Sequence, residues 1–345
     1  MTAPSSADAA PAAPGTPRAG RRGAARTLRY LGGRLLTAAV SLVAVMVTSF
    51  FLFRILPGDP VRALTQGRAV SPEQLEAMRR DFGLDQPLPQ QFLDYCAGLL
   101  RFDFGMSYQY RVPVAELIAE RIGPTILLAG TGTVIAAAIG LVLGTGAAWR
   151  RGSVMDRVNT GVALTLWSVP SFWLGLILIV VLASGTGLFP TSGMTTPGVT
   201  GPVATTLDVA HHMVLPVTTM VAVVYAQYMM IMRSSLLDEM GSDYLTTARA
   251  KGLRDALVLR RHAVPNALLP TVTLIFLNLG RVVAGVILVE TVFAWPGLGS
   301  LFYSGLEVPD LPTVQALFVL FAGAVILMNL LADLVYPLLD PRVRV

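Results

Sequence analysis

The chain has 345 residues, of which 54% are hydrophobic and only 14% charged. Soluble domains carry about a quarter charged residues, so this composition belongs to the membrane class. The net charge of +5 does not mark a nucleic-acid binder, because the arginines gather at the ends of apolar runs and not along one face. Cys96 is the only cysteine, which excludes an intrachain disulfide and any multi-cysteine metal or redox centre.

Residues 1–28, rich in Ala and Pro, read as a disordered tail. Arg21 and Arg22 precede an apolar run, but that run is a full span in length and no small-residue cleavage site follows it, so it reads as an anchor and not as a cleaved signal. Six stretches are long and apolar enough to cross about 30 Å of hydrocarbon: 35–56, 125–148, 160–184, 213–232, 267–289 and 314–334. The first lies in a helix over 29–56, and the other five lie in a membrane domain over 124–337.

Arginine placement predicts the orientation. Arg18, Arg21, Arg22, Arg26, Arg29 and Arg34 precede the first span, and Arg150, Arg151 and Arg157 follow the second. Arg233, Arg249, Lys251, Arg254, Arg260 and Arg261 follow the fourth, and Arg342 and Arg344 close the tail over 338–345. The short loops 185–212 and 294–312 hold no lysine or arginine. Both termini are therefore expected in the cytoplasm of a multi-pass cell-membrane protein.

The segment 57–123 is expected outside as a small helical cap. In "SPEQLEAMRRDFG", Ser71 reads as an N-cap, Pro72 as the first helical position, Gln74 as the partner in a capping box and Gly83 as the stop. "VPVAELIAERI" reads as a second short helix leading into the second span. A cap that shields the span ends and one that receives a soluble partner fit this pattern equally. Further on, Gly140 and Gly144 form a small-residue packing step. Pro170 and Pro216 should bend their helices.

Enzymatic chemistry is not written in the chain. A P-loop needs Gly-Lys, and the only lysine, Lys251, follows Ala250. Neither the His-Glu-x-x-His zinc motif nor the Gly-x-Ser-x-Gly elbow occurs. His211 and His212 are adjacent and point to different helix faces, so no metal site is assigned. Ionisable residues within the spans are few: Arg281, Glu290 and Asp333. Asn278 and Arg281 are the candidates for a polar transport path, and the scarcity of midplane carboxylates disfavours an ion-gradient-driven carrier.

The polar island over 236–265 is the most patterned stretch. Ser242 can cap a helix, Asp243 suits its positive end, Lys251 its negative end, and Gly252 supplies the stop. Tyr244, Leu245 and Ala248 would form one apolar side, and so short a helix needs a surface to lie against. A second short helix over 255–263 should turn back toward the bilayer, with Pro265 marking the restart. An interfacial helix resting on lipid is the alternative.

The spelling of this island resembles the Glu-Ala-Ala-x-x-x-Gly loop of permease subunits in binding-protein-dependent ABC importers, in their dipeptide/oligopeptide branch. Thr246-Thr247-Ala248 and Gly252 hold the motif's places, with Thr246 where the family has glutamate, and His262-Ala263-Val264-Pro265 follows at the family's spacing. "LPGDP", "VPSFWLG", "FPTSG", "VETVFAWPGLG" and "LLDPRVR" are similar to that branch too, in order along the chain.

The resemblance implies an all-α type I ABC importer permease fold with six transmembrane helices. It implies a homologous second permease, two cytoplasmic ATPases that bind ATP and magnesium, an external solute-binding protein, and a di- or oligopeptide cargo. Nickel and glutathione permeases are closely similar. The chain itself would be no enzyme and bind no cofactor, and Asp243 to Ala248, Lys251, Gly252, His262 and Pro265 would form its ATPase-coupling loop, whose apolar-faced helix, with no surface of its own, would rest in a cleft of an ATPase.

Overall fold

The computed structural model describes residues 19–55, 71–81 and 85–339. Among these residues the chain is helical, with a single antiparallel bridge between Met106 and Pro113 and no strand. In chain order the helices are α1 (Ala19–Ile55), α2 (Pro72–Asp81), α3 (Leu88–Leu100), α4 (Val114–Trp149), α5 (Val154–Ser168), α6 (Ser171–Leu178) and α7 (Pro202–Met240). Then follow α8 (Asp243–Ala250), α9 (Asp255–Val258), α10 (Val264–Val292), α11 (Leu298–Glu307) and α12 (Leu311–Leu339). Two π-helical turns, Ile179–Ser184 and Leu259–Ala263, extend α6 and join α9 to α10.

Among the described residues, four helices are long and apolar enough to cross a membrane: Arg29–Phe53 within α1, α4, α7, and Leu311–Leu334 within α12. The third expected span bends at Pro170 as its sequence suggests, and so sharply that the helix is broken. Val154–Ser168 and Ser171–Ser184 meet at 100°, and they add a fifth span only if the pair crosses as one. Pro170 is the physical cause, since it offers no N–H to the helix before it and starts the next one. Pro216 does not interrupt α7, which continues through it. The 29-residue α10 covers the fifth expected stretch.

Two other expectations change. The first helix begins at Ala19, inside the stretch whose composition suggests a disordered tail. "AGRRGAARTL" is rich in the helix formers Ala and Arg and prolongs the span without a break. "VPVAELIAERI" is not a separate helix but the opening of α4, which continues through Pro124. Between α1 and α4 the capping box forms as expected: Gln74 N–H donates to Ser71 Oγ at 3.3 Å and Ser71 N–H to Gln74 Oε1 at 3.1 Å. Gly83 and "LPGDP" lie outside the described residues, as does "LLDPRVR" beyond Leu339.

The main core joins α4, α5, the α6 region, α7 and α10 through Leu128, Ala136, Ala163, Leu215, Tyr228, Met229, Val286 and Phe293. The glycine step makes the α4–α7 contact possible. A Cβ at Gly140 would lie 2.6 Å from Tyr228 Cβ, and one at Gly144 would lie 2.6 Å from the Met229 carbonyl oxygen. At the other edge, α1 packs on α12, where Arg34 pairs with Asp333 at 3.1 Å.

Candidate functional site

Helix α8 is built as its sequence suggests, with one difference at its start. Ser242 occupies the N-cap position with extended backbone, yet its side chain makes no cap bond; its carbonyl accepts the Leu245 N–H at 3.1 Å. At the other end Lys251 is the C-cap residue and the Gly252 N–H donates to the Arg249 carbonyl at 2.9 Å; Gly252 itself adopts φ +80°, the left-handed conformation that turns the Leu253 N–H back to the Ala248 carbonyl at 3.4 Å. Thr247 Oγ1 donates back to the Asp243 carbonyl at 3.1 Å.

The apolar side of α8 does not wait for a partner's groove. Leu245 is 1% exposed and Ala248 6%, and both are packed by the chain itself. Their seat consists of Ala148, Met232, Leu236, Val258, Ala263 and Ala267, drawn from α4, α7, the α9 turn and α10. The expectation that this face needs an external surface is therefore corrected: the turn back through α9 folds the chain's own apolar residues over it. Tyr244 leaves that face and is 38% exposed.

Tyr244 acts as a polar tie instead. Its hydroxyl donates to the Glu239 carboxylate at the end of α7 and lies 3.4 Å from the His262 carbonyl, while Asn266 Nδ2 donates to Tyr244 Oη at 2.9 Å. One side chain thus links α7, α8 and the start of α10. Arg249 Nε reaches Asp255 Oδ1 at 3.2 Å and links α8 to α9. His262 is half-buried, and Pro265 stands exposed in the first turn of α10.

What remains open is a rim. Asp243, Thr246, Thr247, Lys251 and Gly252 are exposed on a short helix whose opposite face is locked into the bundle. Leu245 and Ala248 tie this rim to the ends of α4, α7 and α10. The side chains of Asn278 and Arg281, the expected path residues, lie outside the described residues.

A second constellation was not recognised from sequence as a unit. Glu290 is fully buried near the end of α10. Its carboxylate accepts from Thr125 Oγ1 at 2.7 Å, from Gly299 N–H at 2.7 Å and from Ser300 N–H at 3.1 Å. Thr125 Oγ1 accepts the Leu298 N–H at 2.7 Å, so Glu290 and Thr125 together cap α11. Trp295 Nε1 donates to the Pro124 carbonyl at 3.0 Å, closing the turn. The glycines of "WPGLG" make room: a Cβ at Gly297 would lie 2.2 Å from Glu290 Cδ. The adjacent glycines were the available signal, because close approach to a carboxylate is a reason for glycine besides a turn.

Comparison with known proteins gives a consistent result. Residues 140–345 match the family described as binding-protein-dependent transport system inner membrane component. Residues 27–129 match the corresponding N-terminal family of the same systems. The dipeptide transport system permease protein DppB of Escherichia coli is 36% identical over 335 residues, covering 92% of this chain and 99% of that protein. The glutathione transport system permease protein GsiC of Pectobacterium atrosepticum is 38% identical over 318 residues, with the same coverages of 92% and 99%. Among solved structures, an inward-facing methionine ABC transporter chain superposes with a TM-score of 0.52 at 17% identity, over 65% of this chain and 96% of that one, a likeness of fold.

Proposed function

Since this chain belongs to the family of binding-protein-dependent transport system inner membrane components, we propose that it is the permease subunit of an ATP-driven importer. It forms, with a homologous second permease, the path for di- and oligopeptides. The observation that carries this reading is the near-complete match, at 36–38% identity, to proteins named as dipeptide and glutathione permeases. Glutathione is itself a tripeptide, so both names fall in one cargo class.

In this reading the chain crosses the membrane six times, the broken α5–α6 pair and α10 supplying the spans beyond the four straight ones. Both termini and α8 face the cytoplasm, and α2 and α3 form part of an external cap. Two ATPase subunits hold ATP and magnesium, since the sequence has no phosphate loop of its own. They grip the exposed rim of Asp243, Thr246, Thr247, Lys251 and Gly252, and their closure is passed through Leu245 and Ala248 to the spans behind them. An external solute-binding protein delivers the peptide.

The break at Val169–Pro170 supports a transport role. Non-helical backbone at membrane depth leaves polar groups that lipid cannot satisfy, so it is tolerated where it faces protein or a water-filled path. Trp167 and Trp173, 56% and 52% exposed, flank that corner and would line the peptide's way. The test is uptake of a labelled dipeptide into proteoliposomes holding this chain, its sister permease, both ATPases and the binding protein. Uptake that requires ATP and every subunit is expected; uptake driven by an ion gradient with this chain alone would refute the reading.

A further inference from the structure

Helix α3 is more apolar than its contact with the bundle requires. On one side Phe92 and Tyr95 turn to the end of α1, where their rings stand 5.2 Å and 5.7 Å from that of Phe50. Successive residues are about 100° apart around a helix, so Pro89, Leu93 and Leu100 fall on a second line along its length. That line is open: Leu93 is 66% exposed and Leu100 80%. Gln90, Asp94 and Arg101 form a third line, exposed and polar.

Three lines that run the length of one helix ask for three surroundings: protein, an apolar medium and water. A cap bathed in water would carry polar residues at 93 and 100. A helix standing upright in the bilayer would drag Gln90 or Arg101 into hydrocarbon, where a polar side chain is costly. The pattern is satisfied when the axis lies flat along the boundary between lipid and water.

The place of α3 agrees with that boundary. Phe50 lies within one turn of Phe53, where the apolar span of α1 ends, a rise of about 5 Å. The apolar side of a surface-lying helix settles about 5–10 Å into the zone between headgroups and acyl chains. Phe51 and Leu52, exposed beside Phe50, carry the open apolar surface of the α1 span to the level of α3.

We infer that α3 lies flat in the membrane surface, with Pro89, Leu93 and Leu100 among the acyl chains and Gln90, Asp94 and Arg101 in water. Its partner is lipid. The inference needs α1 to span the bilayer and depends on neither the cargo nor the ATPases, because position is read without transport.

The test places an environment-sensitive fluorophore on Leu93→Cys, Leu100→Cys or Asp94→Cys, each in a Cys96→Ser background, in the full assembly in nanodiscs. Phosphatidylcholine spin-labelled near its headgroup should quench the labels at 93 and 100 several-fold more than the label at 94. Aqueous iodide should show the reverse order. Adding the external binding protein should leave the lipid quenching unchanged. Equal iodide quenching at all three positions would overturn the inference, since it puts the whole helix in water. Labels at 93 and 100 that neither quencher reaches, or that lose lipid quenching when the binding protein is added, would overturn it too, by assigning the line to a protein. If Leu93→Cys disturbs the assembly, the contrast between 100 and 94 decides.

Discussion

Arg233 holds Asp156 through two parallel hydrogen bonds of 2.8 Å, Nε to Oδ1 and Nη2 to Oδ2. The aspartate also accepts the Gly152 N–H at 2.9 Å, so the turn before α5 is fixed to α7 about two helix turns before α7 ends. The Asp156 side chain is 5% exposed and that of Arg233 23%. Arg233→Ala leaves the carboxylate without its counter-charge and should lower stability by about 2 kcal/mol. Thermal unfolding in nanodiscs checks this, and an unchanged midpoint would show that the pair is dispensable.

The α4–α7 contact makes a steric prediction. Gly144→Ala places a Cβ 2.6 Å from the Met229 carbonyl oxygen, where backbone must yield. A loss of about 1–3 kcal/mol is expected. Gly33→Ala in α1, where a Cβ meets nothing within 4 Å, should not destabilise, helix propensity favouring alanine by up to about 1 kcal/mol, and serves as the control.

Glu290→Ala removes the acceptor of three hydrogen bonds and strands two backbone N–H groups of α11. Stability should fall by about 2 kcal/mol or more. Hydrogen exchange should quicken over Leu298–Glu307 before it quickens elsewhere. Thr125→Val, which loses the hydroxyl alone, should show the same pattern more weakly.

How much of this was legible in the sequence follows from the range of each interaction. The Ser71–Gln74 box, the Gly252 stop and the break at Pro170 are local, and the residue types state them. The Gly140–Gly144 step was legible as a packing face, though its partner α7 was not. Leu245 and Ala248 were read as apolar but assigned the wrong cover, because which surface closes over them depends on α4, α7 and α10. The Arg233–Asp156 grip and the Glu290 cap of α11 join distant segments that carry no local sign of each other. Helix α11 itself was missed within a loop rich in glycine and proline, where the buried carboxylate and not propensity anchors the first turn.

The broken span yields a functional prediction. Trp167→Ala and Trp173→Ala remove exposed rings at the corner and should change the KM for peptide uptake more than the basal ATPase rate of the assembly. Equal effects on both would place the rings outside the peptide's way.

The central claim is that partner ATPases take hold of α8 by its exposed rim. A Cys96→Ser background carrying Thr247→Cys tests it most directly, with a membrane-impermeant thiol reagent applied to either side of sealed vesicles. The account predicts labelling from the cytoplasmic side only, and strong protection once the ATPase subunits are bound. Labelling from outside, or an equal rate with and without the ATPases, would contradict it.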